Sequence, residues 1–221
     1  MTEAVETKQD RIARRQVDKF EGRRTQLAVA TLHTLAELGY ARTSLREIAQ
    51  NSEFSHGVLH YYFTDKRDLI TQAVRQYEAV CVTRYDDVVA GSTTAEQLRR
   101  DFVNTFFATL KADAPLHRLW YDLRNQSLFD ESFREDVLEI DEHREAMIWR
   151  VISRYAELSG GEPATSPVAS YVMLDGIFQR ALLSSLSGMD AQVAQLEEEL
   201  PRVLDLLVSG GTQFPQATGR E

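Results

Sequence analysis

The chain has 221 residues, of which 43% are hydrophobic and 27% are charged, and its formal net charge at pH 7 is -9. This composition is typical of globular proteins and excludes an intrinsically disordered chain. The 11 glycines and 5 prolines are few for this length, which favours helices over a many-stranded sheet. A single cysteine, Cys81, cannot form a disulfide framework, so we expect a cytoplasmic protein.

The first predicted helix ends at a glycine. Apolar residues between Leu27 and Leu38 follow a helical period, and Gly39 follows at the position where a left-handed residue commonly closes a helix. Before this helix, residues 11–24 hold six basic and two acidic side chains. Four of the basic residues are spaced four apart: Arg11, Arg15, Lys19 and Arg23. We expect residues 1–24 to be a basic N-terminal extension, either a helix with a basic stripe or a solvated tail.

Two short capped helices are predicted next. Ser44 and Glu47 form a capping-box pattern, so a second helix should start near Ser44 and end around Asn51. Ser55 can cap a third helix. The buried side of that helix is expected to consist of Val58, Leu59, Tyr62 and Phe63.

The remainder of the chain is predicted to be helical. Apolar periodicity and turn residues place helices at about 66–90, 94–111, 115–128, 131–158, 165–187 and 190–208. No strand-like alternation bounded by hairpin turns is present, so the fold class is all-α. The most apolar stretch, 168–186, includes Asp175 and Arg180, which argues against a membrane span.

The segment from Thr43 to Phe63 has helix-turn-helix spacing, in which a second short helix is held out so that it can enter a DNA major groove. Over residues 25–70 the sequence resembles the DNA-binding domain of TetR-family transcriptional regulators. The resemblance implies a three-helix helix-turn-helix domain over 25–66 and a helical bundle for effector binding and dimerisation over 67–209. The composition of residues 210–221 indicates a flexible tail. The family commonly has Tyr where His60 stands here, and Ala-Gly-Val at residues 52–54.

The resemblance and the expected geometry together predict the DNA-contacting residues. His56, Gly57 and His60 lie away from the apolar side of the third helix, and the resemblance implies base reading there. Tyr61 and Lys66 are expected at phosphates. The predicted footprint is Thr43, Ser44, Arg46, Ser55, His56, Gly57, His60, Tyr61 and Lys66.

The distribution of charge is compatible with a DNA partner despite the acidic total. Residues 1–70 carry 11 basic and 10 acidic side chains, whereas residues 71–221 carry 14 and 24. The acidic excess therefore belongs to the C-terminal part, and the predicted DNA-binding part is nearly neutral.

The C-terminal part is expected to bind a small-molecule effector and to form a homodimer, as the resemblance implies. The candidate lining of the effector pocket is Tyr77, Cys81, Asn104, Phe107, Trp120, Tyr121 and Arg124. The candidate dimer interface, on the two last apolar helices, is Val172, Ile177, Phe178, Leu182, Leu186, Leu196, Leu200 and Leu204.

No residue pattern supports catalysis, a metal site or a bound cofactor. Phosphate-binding glycine loops, a nucleophile elbow and a metal-spaced set of Cys and His are all missing from the sequence. We expect a regulator, most simply a repressor released from a pseudo-palindromic operator by an effector. The alternative is a ligand-carrying or metal-binding helical bundle that does not read DNA, and the sequence leaves open whether an effector induces or corepresses.

Overall fold

The structure is a computed structural model that describes the backbone of residues 8–210 and the side chains of residues 14–210. The described part is almost entirely helical, with an N-terminal helix-turn-helix domain and a helical C-terminal domain, as predicted. The helices are α1 (Lys8–Leu38), α2 (Leu45–Gln50), α3 (His56–Tyr62), α4 (Lys66–Cys81), α5 (Asp86–Gly91), α6 (Ala95–Ala112), α7 (Ala114–Gln126), α8 (Arg134–Ser159), α9 (Pro167–Leu186) and α10 (Asp190–Leu206), with a short 3-10 helix (Glu131–Phe133) before α8.

The chain divides into two compact units that are not contiguous in sequence. Among the described residues, the first unit comprises those up to Ala79 together with Arg118–Phe133, and the second comprises Val80–His117 and those from Arg134 onward. From the sequence, the boundary between the helix-turn-helix and the bundle is expected near residue 66. In the structure, most of α4 and α7 belong instead to the unit that contains the helix-turn-helix.

In the first unit, α1, α2 and α3 pack against one another around a small apolar core. Leu27, Leu35, Ile48 and Leu59 are completely buried there. Gly39 has a φ of 75°, and its N–H donates to the carbonyl of Leu35, 2.9 Å away. The prediction that a left-handed glycine closes α1 is therefore confirmed.

In the second unit, α6, α8, α9 and α10 form a packed helical bundle. Its core includes Phe102, Val151 and Leu200, all completely buried. A two-residue antiparallel bridge pairs β1 (Glu162–Pro163) with β2 (Val208–Ser209). The sequence predicts no strand, and pairs of this length are too short to show any alternation.

The start of α1 differs from the prediction. The helix begins at Lys8, so the described part of the predicted extension, residues 8–24, is continuous with the helix that carries the first core residues. The basic stripe is therefore helical, although the side chain of Arg11 lies outside the described residues. Residues 1–7 and 211–221, which include nearly all of the predicted tail, also lie outside them.

The predicted helix over 66–90 is interrupted after α4. Arg150 on α8 donates from Nη2 to the carbonyl of Val82 at 2.6 Å and to Oδ1 of Asp86 at 2.8 Å. An arginine distant in sequence thus satisfies a carbonyl that a continuous helix would use itself, which stabilises the break. None of the described helices combines the length and apolarity required to cross a bilayer.

Candidate nucleic-acid interface

Two serine caps fix the first residues of α2 and α3. The Ser44 hydroxyl accepts a hydrogen bond from the N–H of Glu47 at 3.2 Å, and the Ser55 hydroxyl accepts one from the N–H of Val58 at 3.3 Å. Both serines have extended backbone angles and stand immediately before their helices, as predicted. The caps satisfy backbone donors that short helices leave free, so they set where α2 and α3 begin.

One side of α3 is buried and the other is open to solvent. Leu59 is completely buried, whereas the exposed residues are Ser55, His56, Gly57, His60 and Tyr61. A Cβ added to Gly57 would meet no atom within 4 Å, so the backbone of α3 is accessible at this point. The exposure predicted for His56, Gly57 and His60 is confirmed. The contact of all five residues with DNA stays a prediction.

Two imidazoles lie together on the exposed side of α3. The Nε2 atoms of His56 and His60 are 3.1 Å apart, and the ring centroids are 4.3 Å apart in an edge-to-face arrangement. When both rings are neutral, one must donate and the other accept in this hydrogen bond. The pair therefore presents a defined set of remaining donors and acceptors to a ligand.

The predicted contacts at the start of α2 divide into two kinds. Ser44 and Arg46 are exposed and can face a duplex. Thr43, in contrast, is only 3% exposed, and its hydroxyl donates to the carbonyl of Gly39 at 2.6 Å. The prediction that Thr43 contacts DNA is corrected: its side chain closes the turn between α1 and α2.

Lys66 also has an internal role in the structure. Its ammonium donates to the carbonyl of Tyr40 at 2.7 Å and lies 3.8 Å from the centroid of the Tyr40 ring. Partial burial lowers the pKa of Lys66. Lys66 therefore stabilises the α1–α2 turn in this structure, and its contact with a phosphate stays a prediction.

The peptide groups of Tyr40 are held from two sides. Its N–H donates to Oδ2 of Asp122 on α7 at 2.7 Å, while its carbonyl accepts from Lys66 on α4. Arg118 on α7 also donates to the carbonyl of Glu37 at 3.1 Å, near the C-terminus of α1. Two oppositely charged residues of α7 thus satisfy backbone groups that have no helical partner at the C-terminal end of α1. Arg118 donates to a carbonyl, and Asp122 accepts from an N–H.

A further ion pair, which the sequence analysis missed, fixes the far end of α3. Arg24 on α1 donates to Oδ1 of Asp68 at 2.6 Å and to the carbonyl of Tyr62, the last residue of α3, at 2.8 Å. Burial alone would raise the pKa of Asp68, but hydrogen bonds from Arg24 and Thr64 hold it below its ordinary value. Since the partners are 44 residues apart, no local pattern in the sequence could have revealed them.

Comparison with known proteins agrees with this geometry. Residues 27–73 match the family "Bacterial regulatory proteins, tetR family". Over these residues the chain is similar to the DNA-binding domain of TetR-family regulators. It is 31% identical over 112 residues to the HTH-type transcriptional regulator BetI of Burkholderia lata, which is 50% of this chain and 57% of that regulator. The match therefore spans little more than half the length of that curated relative.

Solved structures of TetR-family and related regulators share the fold. Bacillus subtilis FadR in complex with stearoyl-CoA aligns with a TM-score of 0.64 and 20% identity, over 85% of this chain and 98% of its own. A transcriptional regulator from Saccharomonospora viridis in complex with choline aligns with a TM-score of 0.65 and 17% identity, over 85% and 98%. At these identities the likeness concerns the architecture alone.

The residues predicted to line an effector pocket are divided between the two units. The first unit contains Tyr77, Trp120, Tyr121 and Arg124, and the second contains Cys81, Asn104 and Phe107. Six of the seven are buried or half-buried, whereas Asn104 is exposed on α6. Asn104 therefore does not face the packed side of its helix, and a pocket shared by the other residues stays a prediction.

The second unit contains a buried histidine that the sequence analysis did not consider. His117 is 1% exposed, its ring lies 4.6 Å from that of Phe178, and its Nε2 lies 3.2 Å from the carbonyl of Thr109. Burial lowers the pKa of His117 to about 3, and the positive charges of Arg84 and Arg144 act in the same direction. The imidazole is therefore neutral at pH 7.

The residues predicted at the dimer interface also require a correction. Phe178, Leu182, Leu200 and Leu204 are at most 8% exposed, so they belong to the core of this subunit rather than to its exposed surface. Ile177 and Leu196 are half-buried. An apolar face nevertheless remains on α9, where Val168, Val172, Met173, Leu183 and Leu186 are each between 41% and 57% exposed.

The ion pair between Arg24 and Asp68 gives a stability prediction with a defined pH dependence. Replacing Asp68 by Asn should lower the free energy of unfolding by about 1–3 kcal/mol at pH 7. The pKa of Asp68 is lower in the folded chain than in the unfolded chain. The extra stability of the wild type is therefore complete at pH values above the unfolded-state pKa of about 3.9, and it is lost as the pH falls through the folded-state pKa.

The measurement is urea unfolding followed by circular dichroism at pH 7, 5 and 3. Glu53→Gln is the matched control, because Glu53 is an exposed carboxylate in the same unit. A difference between wild type and Asp68→Asn that stays constant down to pH 3 would contradict the assignment.

Proposed function

We propose that this chain is a DNA-binding transcriptional regulator, a repressor that leaves a pseudo-palindromic operator when a small molecule binds. The observation that carries the proposal is the exposed side of α3, where His56, Gly57, His60 and Tyr61 are open to solvent while Leu59 anchors the helix. A helix of this kind, held against two others by capped turns, is the means by which helix-turn-helix proteins read the major groove.

Exposed basic residues near α3 support contact with the phosphate backbone. Phe20 on α1 packs against Tyr62, with the ring centroids 4.9 Å apart, so this part of α1 lies beside the end of α3. The exposed basic side chains in the first unit include Arg14, Arg15, Lys19, Arg23 and Arg46. In the proposed complex these residues supply sequence-independent attraction, and the side chains of α3 supply discrimination between bases.

The exposed face of α9 supports assembly into a homodimer. Val168, Val172 and Leu183 lie on one side of the helix, and a Cβ added to Gly176 between them would meet no atom within 4 Å. A glycine in an apolar stripe permits a second helix to approach closely. A two-fold pair of such chains would present two copies of α3 about 34 Å apart, matching successive major grooves on one face of DNA.

The response to an effector is proposed to pass through the turn at Tyr40. Both α4 and α7 hold the peptide groups of Tyr40, through Lys66 and Asp122, and both helices continue into the second unit. A ligand that favours another position of either helix would displace this turn and alter the angle of α3. Coupling of this kind is typically worth about 1–3 kcal/mol.

The chemistry of the effector is proposed from the interior of the second unit. Buried or half-buried polar groups there include His117, Arg144 and the Tyr171 hydroxyl, which donates to Asp141 at 2.6 Å. Such groups suit an effector that carries both polar and apolar parts. The regulators of similar fold were solved with choline and with stearoyl-CoA, so the fold by itself is compatible with ligands of very different size.

DNA binding is tested by fluorescence anisotropy with the region upstream of the native gene. His60→Ala should change the preference for particular base pairs, with a loss of about 1–3 kcal/mol at a contacted base. Arg46→Ala should weaken binding to all sequences and reduce the salt slope by about one. Arg46 is preferred to Lys66 for this purpose because Lys66 also holds the α1–α2 turn.

Arg100→Ala is the control for charge, since Arg100 is exposed in the second unit. It should leave the base preference intact. Binding that is insensitive to salt, or a His60 variant with an unchanged sequence preference, would contradict the proposed reading of DNA.

The dimer is tested by sedimentation velocity. Val172→Asp and Leu183→Asp each place a carboxylate on the exposed face of α9 and should weaken association by about 100-fold or more. Leu138→Asp on α8, which is 61% exposed in the wild type, is the matched control and should leave the mass unchanged. A dimer that persists in both α9 variants would reject this face.

The effector response is tested by thermal unfolding and anisotropy on the same samples. Compounds such as choline, acyl-CoA esters and small metabolites are screened for an increase in Tm, and each stabilising compound is added to the protein–DNA complex. We expect at least one compound to raise Tm and release DNA. Compounds that raise Tm and strengthen DNA binding would show a corepressor instead, and stabilisation without any effect on DNA would contradict the coupling.

A further inference from the structure

We propose that His56 and His60 form a two-ligand site for a divalent transition-metal ion such as Zn²⁺. The two residues are one helical turn apart on α3, and their Nε2 atoms converge to 3.1 Å. Imidazole nitrogens are preferred ligands of zinc, copper and nickel ions. The same pair of atoms that shares a hydrogen bond can therefore bind a single cation.

The distance between the two nitrogen atoms is suitable for chelation. With Zn–N bonds of about 2.0–2.1 Å, two nitrogens 3.1 Å apart subtend an angle of about 95–100° at the metal. This angle lies between the octahedral and tetrahedral values, so the separation of the two nitrogens fits one ion. The spacing of one helical turn on α3 brings the two side chains to the same face.

The surroundings of the pair leave room for the other ligands of the metal. Both histidines are exposed, and the space above Gly57 is open to at least 4 Å. Among the side chains that the structure describes, no group of three or more His, Cys, Asp or Glu residues is placed to hold a metal. The site therefore consists of two protein ligands, and water completes the coordination.

Chelation would also control the proposed function, and this second step rests on that proposal. A bound ion uses the Nε2 lone pairs of His56 and His60, which are then unable to hydrogen-bond to base edges. The ion with its waters also adds bulk on the side of α3 that is proposed to enter the groove. We expect Zn²⁺ to compete with DNA, so that operator affinity falls as free zinc rises.

Metal binding is tested first, on the full chain without DNA, by calorimetric titration with ZnCl₂. His56→Ala and His60→Ala should each weaken binding by more than about tenfold, and the double variant should lose little more than either single variant. Such non-additivity is the signature of two ligands that act on one ion. His33→Ala is the matched control, because His33 is exposed on α1 and pairs with Glu37 rather than with a histidine.

NMR of the imidazole groups identifies the ligands directly. The chain has 5 histidines, and only the signals of His56 and His60 should shift on addition of ZnCl₂. If the variant that lacks both histidines still shows heat of zinc binding, or if His33→Ala shows none, the proposed site is wrong. An absence of zinc binding to the wild-type chain would overturn it as well.

The effect on DNA is measured separately, so that the two proposals fail independently. His60→Tyr removes one metal ligand, and because His60 is also a proposed base contact, each chain is compared with its own DNA affinity measured without metal. Zinc should release operator DNA from the wild-type chain and not from His60→Tyr, and a chelator should restore binding. Zinc that binds to His56 and His60 without changing DNA affinity overturns the competition alone, whereas a chain that binds zinc and no DNA overturns the proposed function.

Discussion

The burial of Leu59 determines what α3 can present to a partner. A helix of seven residues is too short to be stable in isolated form in water, so α3 exists because its apolar side packs against α1 and α2. Complete burial of Leu59 on one side leaves His56 and His60 exposed on the other. The Ser55 cap and the contact of Arg24 with the Tyr62 carbonyl then fix the two ends of the helix.

Several charged residues of the first unit stabilise this arrangement. Arg24 is paired with Asp68, and Lys66 is held against Tyr40, so neither cation is available to DNA without giving up its contact. Arg23 stacks over Phe54, and Lys19 and Arg46 are exposed to solvent. The basic charge of this unit therefore divides into residues that position α3 and residues that can approach phosphate.

The two apolar faces of α9 differ in whether the rest of the subunit covers them. Phe178 and Leu182 point into the bundle and supply the apolar contact that holds α9 within its own subunit. Val172 and Leu183 have the same hydrophobic character and remain exposed, which is costly in water unless another surface covers them. A helix that is apolar around most of its circumference is thus consistent with a core on one side and a second copy of the chain on the other.

Interactions between residues close in sequence were sufficient to predict the helices of the helix-turn-helix. Ser44, Ser55 and Gly39 act on backbone groups a few residues away, so their effects on α2, α3 and the end of α1 could be predicted from spacing alone. The same spacing places His56 and His60 one turn apart, although only the structure shows that their Nε2 atoms converge.

Tertiary structure decided which predicted side chains are free to bind. Thr43, Lys66 and Phe178 have residue types that fit the sites predicted for them, but each is engaged inside its own unit. The continuation of α1 to Lys8 and the break after Cys81 also depend on the packed chain, in the second case on an arginine far along it. Periodicity shows that a helix has an apolar side, but which of two apolar sides is covered, and by what, depends on contacts between residues distant in sequence.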